Sequence, residues 1–200
     1  MARRPRPPVA TTVVGLDLSI RSAGVAVLFP EWSPGEWGNA RFRTFGNDDP
    51  SVPDTERFEE TASRVAGFVA DVVEGDALLG ERPVAVFVEH YAFDAVRWST
   101  PVTLARLAEL GGLVKYLVWQ WVGVHARPVT QGEWRKLLLG FSRMKNVDVK
   151  AVAQERLRAA GAPCETGDEL DALGVALFGR SELGLPTITF ASSGKKKGRR

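Results

Sequence analysis

The run Val84-Ala85-Val86-Phe87-Val88 constrains this chain more than any other segment. Five apolar residues with no polar alternation have strand length and offer no face to water, so they read as the buried centre of a sheet. Such a strand needs helices on both faces, and the rest of the chain supplies them. Glu89 stands at the C-terminal end of the run. A carboxylate at the edge of a buried strand calls for a partner, because burying an uncompensated charge is costly.

The remaining elements follow from periodicity and turn residues. Thr12 to Leu16 reads as a buried strand, and Gly24 to Phe29 as a second one joined to it by a polar turn at Ser19 to Ser22. Ala40 to Phe45 gives a third strand, flanked by loops at Trp32 to Gly38 and Gly46 to Pro53. Phe58, Ala62, Val65, Val69 and Val72 recur at helical spacing, with Gly75 as the expected stop. A long apolar helix is expected from Thr103 to Val122, with Gly111-Gly112 packed closely against another backbone. Val124 to Val129 reads as a strand, Thr130-Gln131-Gly132-Glu133 as a capping box opening a helix that Gly140 closes. Helices at Val147 to Ala160 and Gly167 to Phe178 complete the order. Strands first, then helices interleaved with buried strands, predict a three-layer α/β domain with a central mixed sheet. The ribonuclease H-like fold is the candidate for that order.

The chain's 200 residues suit one such domain, expected over 12–190 between a basic Pro-rich arm at 1–11 and a basic tail at 191–200. Net charge is only +2, yet Arg3, Arg4, Arg6, Lys195, Lys196, Lys197, Arg199 and Arg200 all lie in the arms. The remainder holds 18 basic against 24 acidic residues, a body of about −6 between cationic ends that suit a polyanion. A solubilising tail is the plainer alternative. A single cysteine, Cys164, excludes an intramolecular disulfide framework and a four-cysteine zinc site, and points to a reducing compartment. The longest apolar window, Leu110 to Val124, contains Lys115 and Gln120, so neither a membrane span nor a signal peptide is expected.

Four carboxylates carry the chemistry. Asp17 interrupts the end of an apolar strand and Glu89 terminates another; Asp168 and Asp171 share one face at the start of a helix. Acids at a helix N-terminus compensate its dipole, which accounts for Asp168 and Glu169 but not for Asp171, embedded in Leu170, Ala172 and Leu173. Together the four offer oxygen-only ligands suited to Mg²⁺ or Mn²⁺. Two such ions about 4 Å apart can activate water and stabilise a leaving oxygen in phosphodiester hydrolysis.

The ordered set Gly15-Leu16-Asp17, Ala23-Gly24-Val25-Ala26, Val88-Glu89, Leu139-Gly140 and Asp168-Glu169-Leu170-Asp171-Ala172-Leu173 resembles the RuvC family of Holliday junction resolvases, from about Val13 to Phe178. The resemblance implies that Asp17, Glu89, Asp168 and Asp171 are metal-binding catalytic acids at a two-ion site. It also implies a homodimer that cuts opposed strands of a four-way DNA junction symmetrically; with no export signal read, the cytoplasm is the expected place, and small size and basic arms suit a bacterial or phage-encoded resolvase. The family lysine near the scissile phosphate aligns best with Lys150, with Lys145 as second choice, and Arg143-Met144-Lys145-Asn146 is basic enough to meet phosphates. Two departures stand out. Asp17 is followed by Leu18-Ser19 rather than Pro-Gly, and the aromatic expected three residues after the glutamate is Ala92, flanked by Tyr91 and Phe93. Either ring could wedge against unstacked bases, as could Trp98, or anchor the loop.

His90 could assist proton transfer or be structural, and His125 receives no role. Trp119, Trp121 and Trp134 read as core or dimer-interface residues, whereas Trp32 and Trp37 fit either core or base contact. A nuclease acting on flaps or forks and a non-catalytic junction-binding protein are the alternatives. Sugar-kinase-like phosphotransferases share the first-strand Asp pattern, but they need a duplicated domain that 200 residues do not hold.

Overall fold

A computed structural model describes residues 9–46, 51–77, 83–90, 100–145 and 147–190. Among the described residues the strands are β1 (Thr12–Leu18), β2 (Ser22–Leu28), β3 (Ala40–Gly46), β4 (Val84–His90) and β5 (Arg127–Thr130). The helices are α1 (Asp54–Ala77), α2 (Pro101–Val122), α3 (Gln131–Leu139), α4 (Val149–Ala159) and α5 (Gly167–Glu182). They form a mixed sheet of order β3-β2-β1-β4-β5, antiparallel from β3 to β1 and parallel from β1 to β5. This is the expected three-layer α/β arrangement, and β4 lies next to the central strand as its unbroken apolar run requires.

Strand parity sorts the core into two halves. Val13, Ala26, Leu28, Ala85 and Phe87 face a core completed by α3, α4 and α5, while Val14, Leu16, Val25, Val27, Val86 and Val88 face α1 and α2. Arg180, on α5 and wholly buried, ties the first half together by donating to the carbonyls of Phe29, Trp32 and Pro186 at 2.7 to 3.1 Å. Burial lowers its pKa. The Trp32 ring lies 5.0 Å from its guanidinium.

Several local expectations are corrected. Gly75 does not end α1, which continues to Ala77. β5 is confined to Arg127–Thr130, because Gly123, in the left-handed region at φ 74°, closes α2 and the next three residues return the chain to the sheet. His125 therefore lies outside the strand, stacked on Trp119. Among the described residues no backbone lies against Gly111 or Gly112, and nothing is within 4 Å of a side chain added at either. Trp119 and Trp121 are exposed rather than core. Trp134 and Trp32 are buried, and Trp37 packs against Trp32 with its indole N–H donated to the Ala160 carbonyl, so both loop tryptophans are structural. Among the described residues no helix is long and apolar enough to cross a membrane.

Candidate active site

Asp17 shares strand parity with Val13 and Gly15, so it faces α5. The parallel pairing of Leu16 with Val88 continues by one residue to set Asp17 beside Glu89. Two acids thus occupy the C-terminal ends of adjacent parallel strands, on one face of the sheet. Both are buried, each with only 4% of its surface exposed.

The other two acids arrive on α5, which lies against β1 and β2 where both strands carry glycine. A Cβ on Gly15 would come within 2.1 Å of the Ala172 carbonyl oxygen, and one on Gly24 within 2.1 Å of the Asp168 carbonyl oxygen. Gly24 is the register partner of Asp17. The absent side chains let the first turns of α5 settle directly beside Asp17. Thr166 and Glu169 form a capping box that fixes the start of α5, which makes Glu169 a structural acid. Asp168 and Asp171 are one helical turn apart and lie on the same side.

Each carboxylate has its own partners. Glu89 accepts from Gln131 Nε2 at 2.6 Å on one oxygen and from Trp134 Nε1 at 2.9 Å on the other. Asp171 accepts from Gln154 Nε2 at 2.9 Å and forms an ion pair with Lys150 Nζ at 2.5 Å. Asp168 accepts from the Ser22 hydroxyl. Asp17 has no hydrogen-bond donor among the described residues.

The electrostatics follow that division. Burial pushes the Asp17 carboxyl well above its usual range; Glu89, Asp171 and Asp168 add to the rise, and Lys150 opposes it. Glu89 is also raised by burial, partly offset by its two hydrogen bonds. Partial burial pulls Lys150 down, but its hydrogen bond to Asp171 and the charges of Asp171, Asp17 and Glu89 outweigh that effect. The net shift is upward and keeps the ammonium charged.

Among the described residues no three acids are yet gathered tightly enough to grip an ion. The donor set nevertheless fits a hard cation: Glu89, Asp168 and Asp171 around a buried Asp17 that has no hydrogen-bond donor among the described residues. A divalent ion would relieve the repulsion that raises Asp17.

Of the sequence-predicted residues, Asp17, Glu89, Asp168, Asp171 and Lys150 come together. Arg143 and Lys145 lie exposed between α3 and α4. Tyr91, Phe93, Ala92 and Trp98 lie outside the described residues, as do the basic ends 1–8 and 191–200. His90 is exposed at the end of β4. Cys164 is half-buried in the loop before α5; burial, then Glu169, pushes its thiol up to about 12.

Sequence reasoning missed Gln131, Trp134, Gln154 and Ser22. The first pair was accessible in principle, because the predicted capping box fixes where α3 starts and places residues three apart on one face. Gln154 likewise lies one turn beyond Lys150 on α4.

Comparison with solved structures places the architecture. A Thermus thermophilus RuvC structure matches with a TM-score of 0.59 at 19% identity, over 88% of this chain and 98% of that one. The chain has the RuvC fold. A second T. thermophilus RuvC structure, in complex with a Holliday junction substrate, matches with a TM-score of 0.58 at 19% identity, over 87% of this chain and 96% of that one. No protein-family model and no curated protein sequence matches the chain. In the RuvC fold of this chain, the four acids and Lys150 lie at the strand ends where α5 meets the sheet.

Proposed function

We propose that this chain is a metal-dependent endonuclease that resolves four-way DNA junctions as a homodimer, with Asp17, Glu89, Asp168 and Asp171 as the acids of its active site. The observation that carries the reading is the buried Asp17, with no hydrogen-bond donor among the described residues, beside Glu89 and flanked on α5 by Asp168 and Asp171. A RuvC of the same fold has been solved with a Holliday junction, which supports branched DNA as the substrate.

These four acids would hold Mg²⁺ or Mn²⁺, two ions per site, and the metal would supply charge neutralisation and a water acidic enough to attack at neutral pH. Hydrolysis adds the water oxygen to phosphorus and breaks the bond to a sugar oxygen, which leaves with a proton. Lys150, held charged against Asp171, can offset the charge that grows on the phosphate oxygens. Gln131 and Trp134 fix the orientation of Glu89.

The folded domain is assigned to 12–190. The basic ends, Arg143, Lys145 and the rings of Tyr91 and Phe93 are assigned to DNA. Val102, Tyr116 and Trp119 leave apolar side chains exposed along one side of α2, which supports pairing with a second copy. An enzyme of recombining DNA belongs in the cytoplasm of a bacterium or of a phage's bacterial host.

A labelled synthetic four-way junction, with duplex, flap and fork controls in Mg²⁺, Mn²⁺ or EDTA, tests the proposal. Paired symmetric nicks in the junction alone, abolished by EDTA, are expected. Cuts spread over flaps and forks would favour a broader nuclease, and binding without cleavage under every metal would leave a junction-binding protein.

The Glu89 clamp gives a finer expectation. Trp134→Phe keeps a ring against Gly174 while deleting the indole N–H that reaches Glu89. Cleavage should slow by about tenfold, with a higher metal requirement and unchanged junction affinity, as for other groups that orient metal ligands. Metal titration of the cleavage rate, run beside an anisotropy measurement, separates the two quantities.

A further inference from the structure

On the opposite face of the sheet from the four acids, β3 and α1 enclose an open groove of about 600 Å³. Arg41 and Arg43 enter it from β3: their register partners Val27 and Val25 face α1, so both arginines point to that side. Arg64 contributes from α1, and Phe45 and Phe68, with ring centroids 5.7 Å apart, form the floor. Asp71 is the one acid among the lining residues.

The arginines differ in how far their charge is answered. Arg64 is paired with Glu60 at 2.5 Å. Among the described residues Arg41 donates to the carbonyls of Gly38 and Ala40 and lies over the Phe29 ring, and no carboxylate there pairs with it. Arg43 is exposed and has no acidic partner among the described residues. A concentration of cations on a body with an excess of acids is selective for an anion, and guanidinium groups around aromatic rings match phosphates joined to flat bases and sugars.

Position favours a nucleic acid over an acidic peptide. Asp17 pairs with Gly24 and Gly24 with Thr44, so Arg43 lies one residue from the level of Asp17 and two strands away, about 10 Å across the sheet. β3 is the outer strand, so a DNA arm that leaves the acids over that edge and bends around it reaches the groove on the other face. We infer that the β3–α1 groove is a second DNA-binding surface, in which Arg41, Arg43 and Arg64 hold phosphates of an arm leaving the active site over Phe45 and Phe68. This inference rests on the junction-nuclease reading.

The test is junction binding by fluorescence anisotropy in EDTA, across a series of salt concentrations, for the parent protein, Arg43→Ala and the double variant R41A/R43A. Thermal melting confirms that each variant is folded. Arg43→Ala should weaken binding by about fivefold and reduce the slope of log K against log salt by about one, and the double variant by about two. Parent-like affinity and slope in both variants would overturn the groove while leaving the nuclease reading intact. Arg43-dependent binding of a polyglutamate peptide with unchanged junction binding would reassign the groove to an acidic partner. A parent protein that binds no junction would overturn both readings.

Discussion

Asp17→Asn is expected to abolish DNA cleavage, by on the order of a thousandfold or more, while leaving junction affinity in EDTA unchanged and raising the melting temperature of the metal-free protein. The three results have one cause. Asp17 is buried, receives no hydrogen bond from the described residues and faces Glu89, Asp171 and Asp168, so its ionised form is disfavoured until a cation arrives. Asparagine keeps the shape, removes the charge and with it the repulsion. A carboxyl whose folded-state pKa is raised binds its proton more tightly when folded. Its contribution is fully present below the unfolded value and is lost as pH rises through the raised value. The metal-free wild-type protein should therefore lose stability from acid toward neutral pH, and Asp17→Asn should lose less. Added Mn²⁺ should reverse the loss in the wild type through binding to the folded state, and do little for the variant. Melting curves from pH 5 to 8, with and without Mn²⁺, measure this without any cleavage assay. Equal pH profiles for the two proteins would mean that Asp17 is not the strained charge of the cluster.

How far the sequence could be read depended on whether a residue's neighbours are set by chain order or by packing. Parity along Thr12–Leu18 and Val84–His90, with an acid breaking each apolar strand, is a local pattern, and it located Asp17 and Glu89 and the sheet that carries them. Asp168 and Asp171 were legible from helical spacing because Thr166 and Glu169 cap α5 where the spacing needs it to start. The partners of those acids were not. Trp134, read as a core or dimer-interface residue, is buried in the core, but that its N–H meets Glu89 depends on β4 pairing with β5 and on the angle at which α3 leaves the sheet. Gly111 and Gly112 show the reverse error. A glycine pair in an apolar helix suggests a close neighbour, yet among the described residues nothing lies within 4 Å of a side chain added at either position. Trp119 and Trp121, read as core or dimer-interface residues, are exposed, which removes the core alternative, since an apolar helix position reads alike whether its cover is the same chain or a second one.

Gly24→Ala should cost about 3 kcal/mol of stability and remove most cleavage activity, although it adds only one methyl group. The new Cβ would lie 2.1 Å from the oxygen and 2.3 Å from the carbon of the Asp168 carbonyl, and 3.0 Å from the Glu169 nitrogen. All three are backbone atoms of a capped helical turn, so no side chain can swing aside. Either β2 bends or the start of α5 lifts, and lifting carries Asp168 and Asp171 away from Asp17 together. Gly15→Ala repeats the clash further along α5, at the Ala172 carbonyl and the Ala176 nitrogen. Gly75→Ala is the matching control: it lies in α1 with nothing within 4 Å of its added carbon, and there alanine should stabilise by up to about 1 kcal/mol. Denaturant melts of the three variants, each followed by metal-dependent cleavage at a temperature where all are folded, distinguish displacement from unfolding. Activity lost in folded Gly24→Ala and Gly15→Ala, but kept in Gly75→Ala, is the expected pattern. Full activity in folded Gly24→Ala would mean that the acids on α5 tolerate a shift of the helix, and that their fixed distance from Asp17 is not what the two glycines are for.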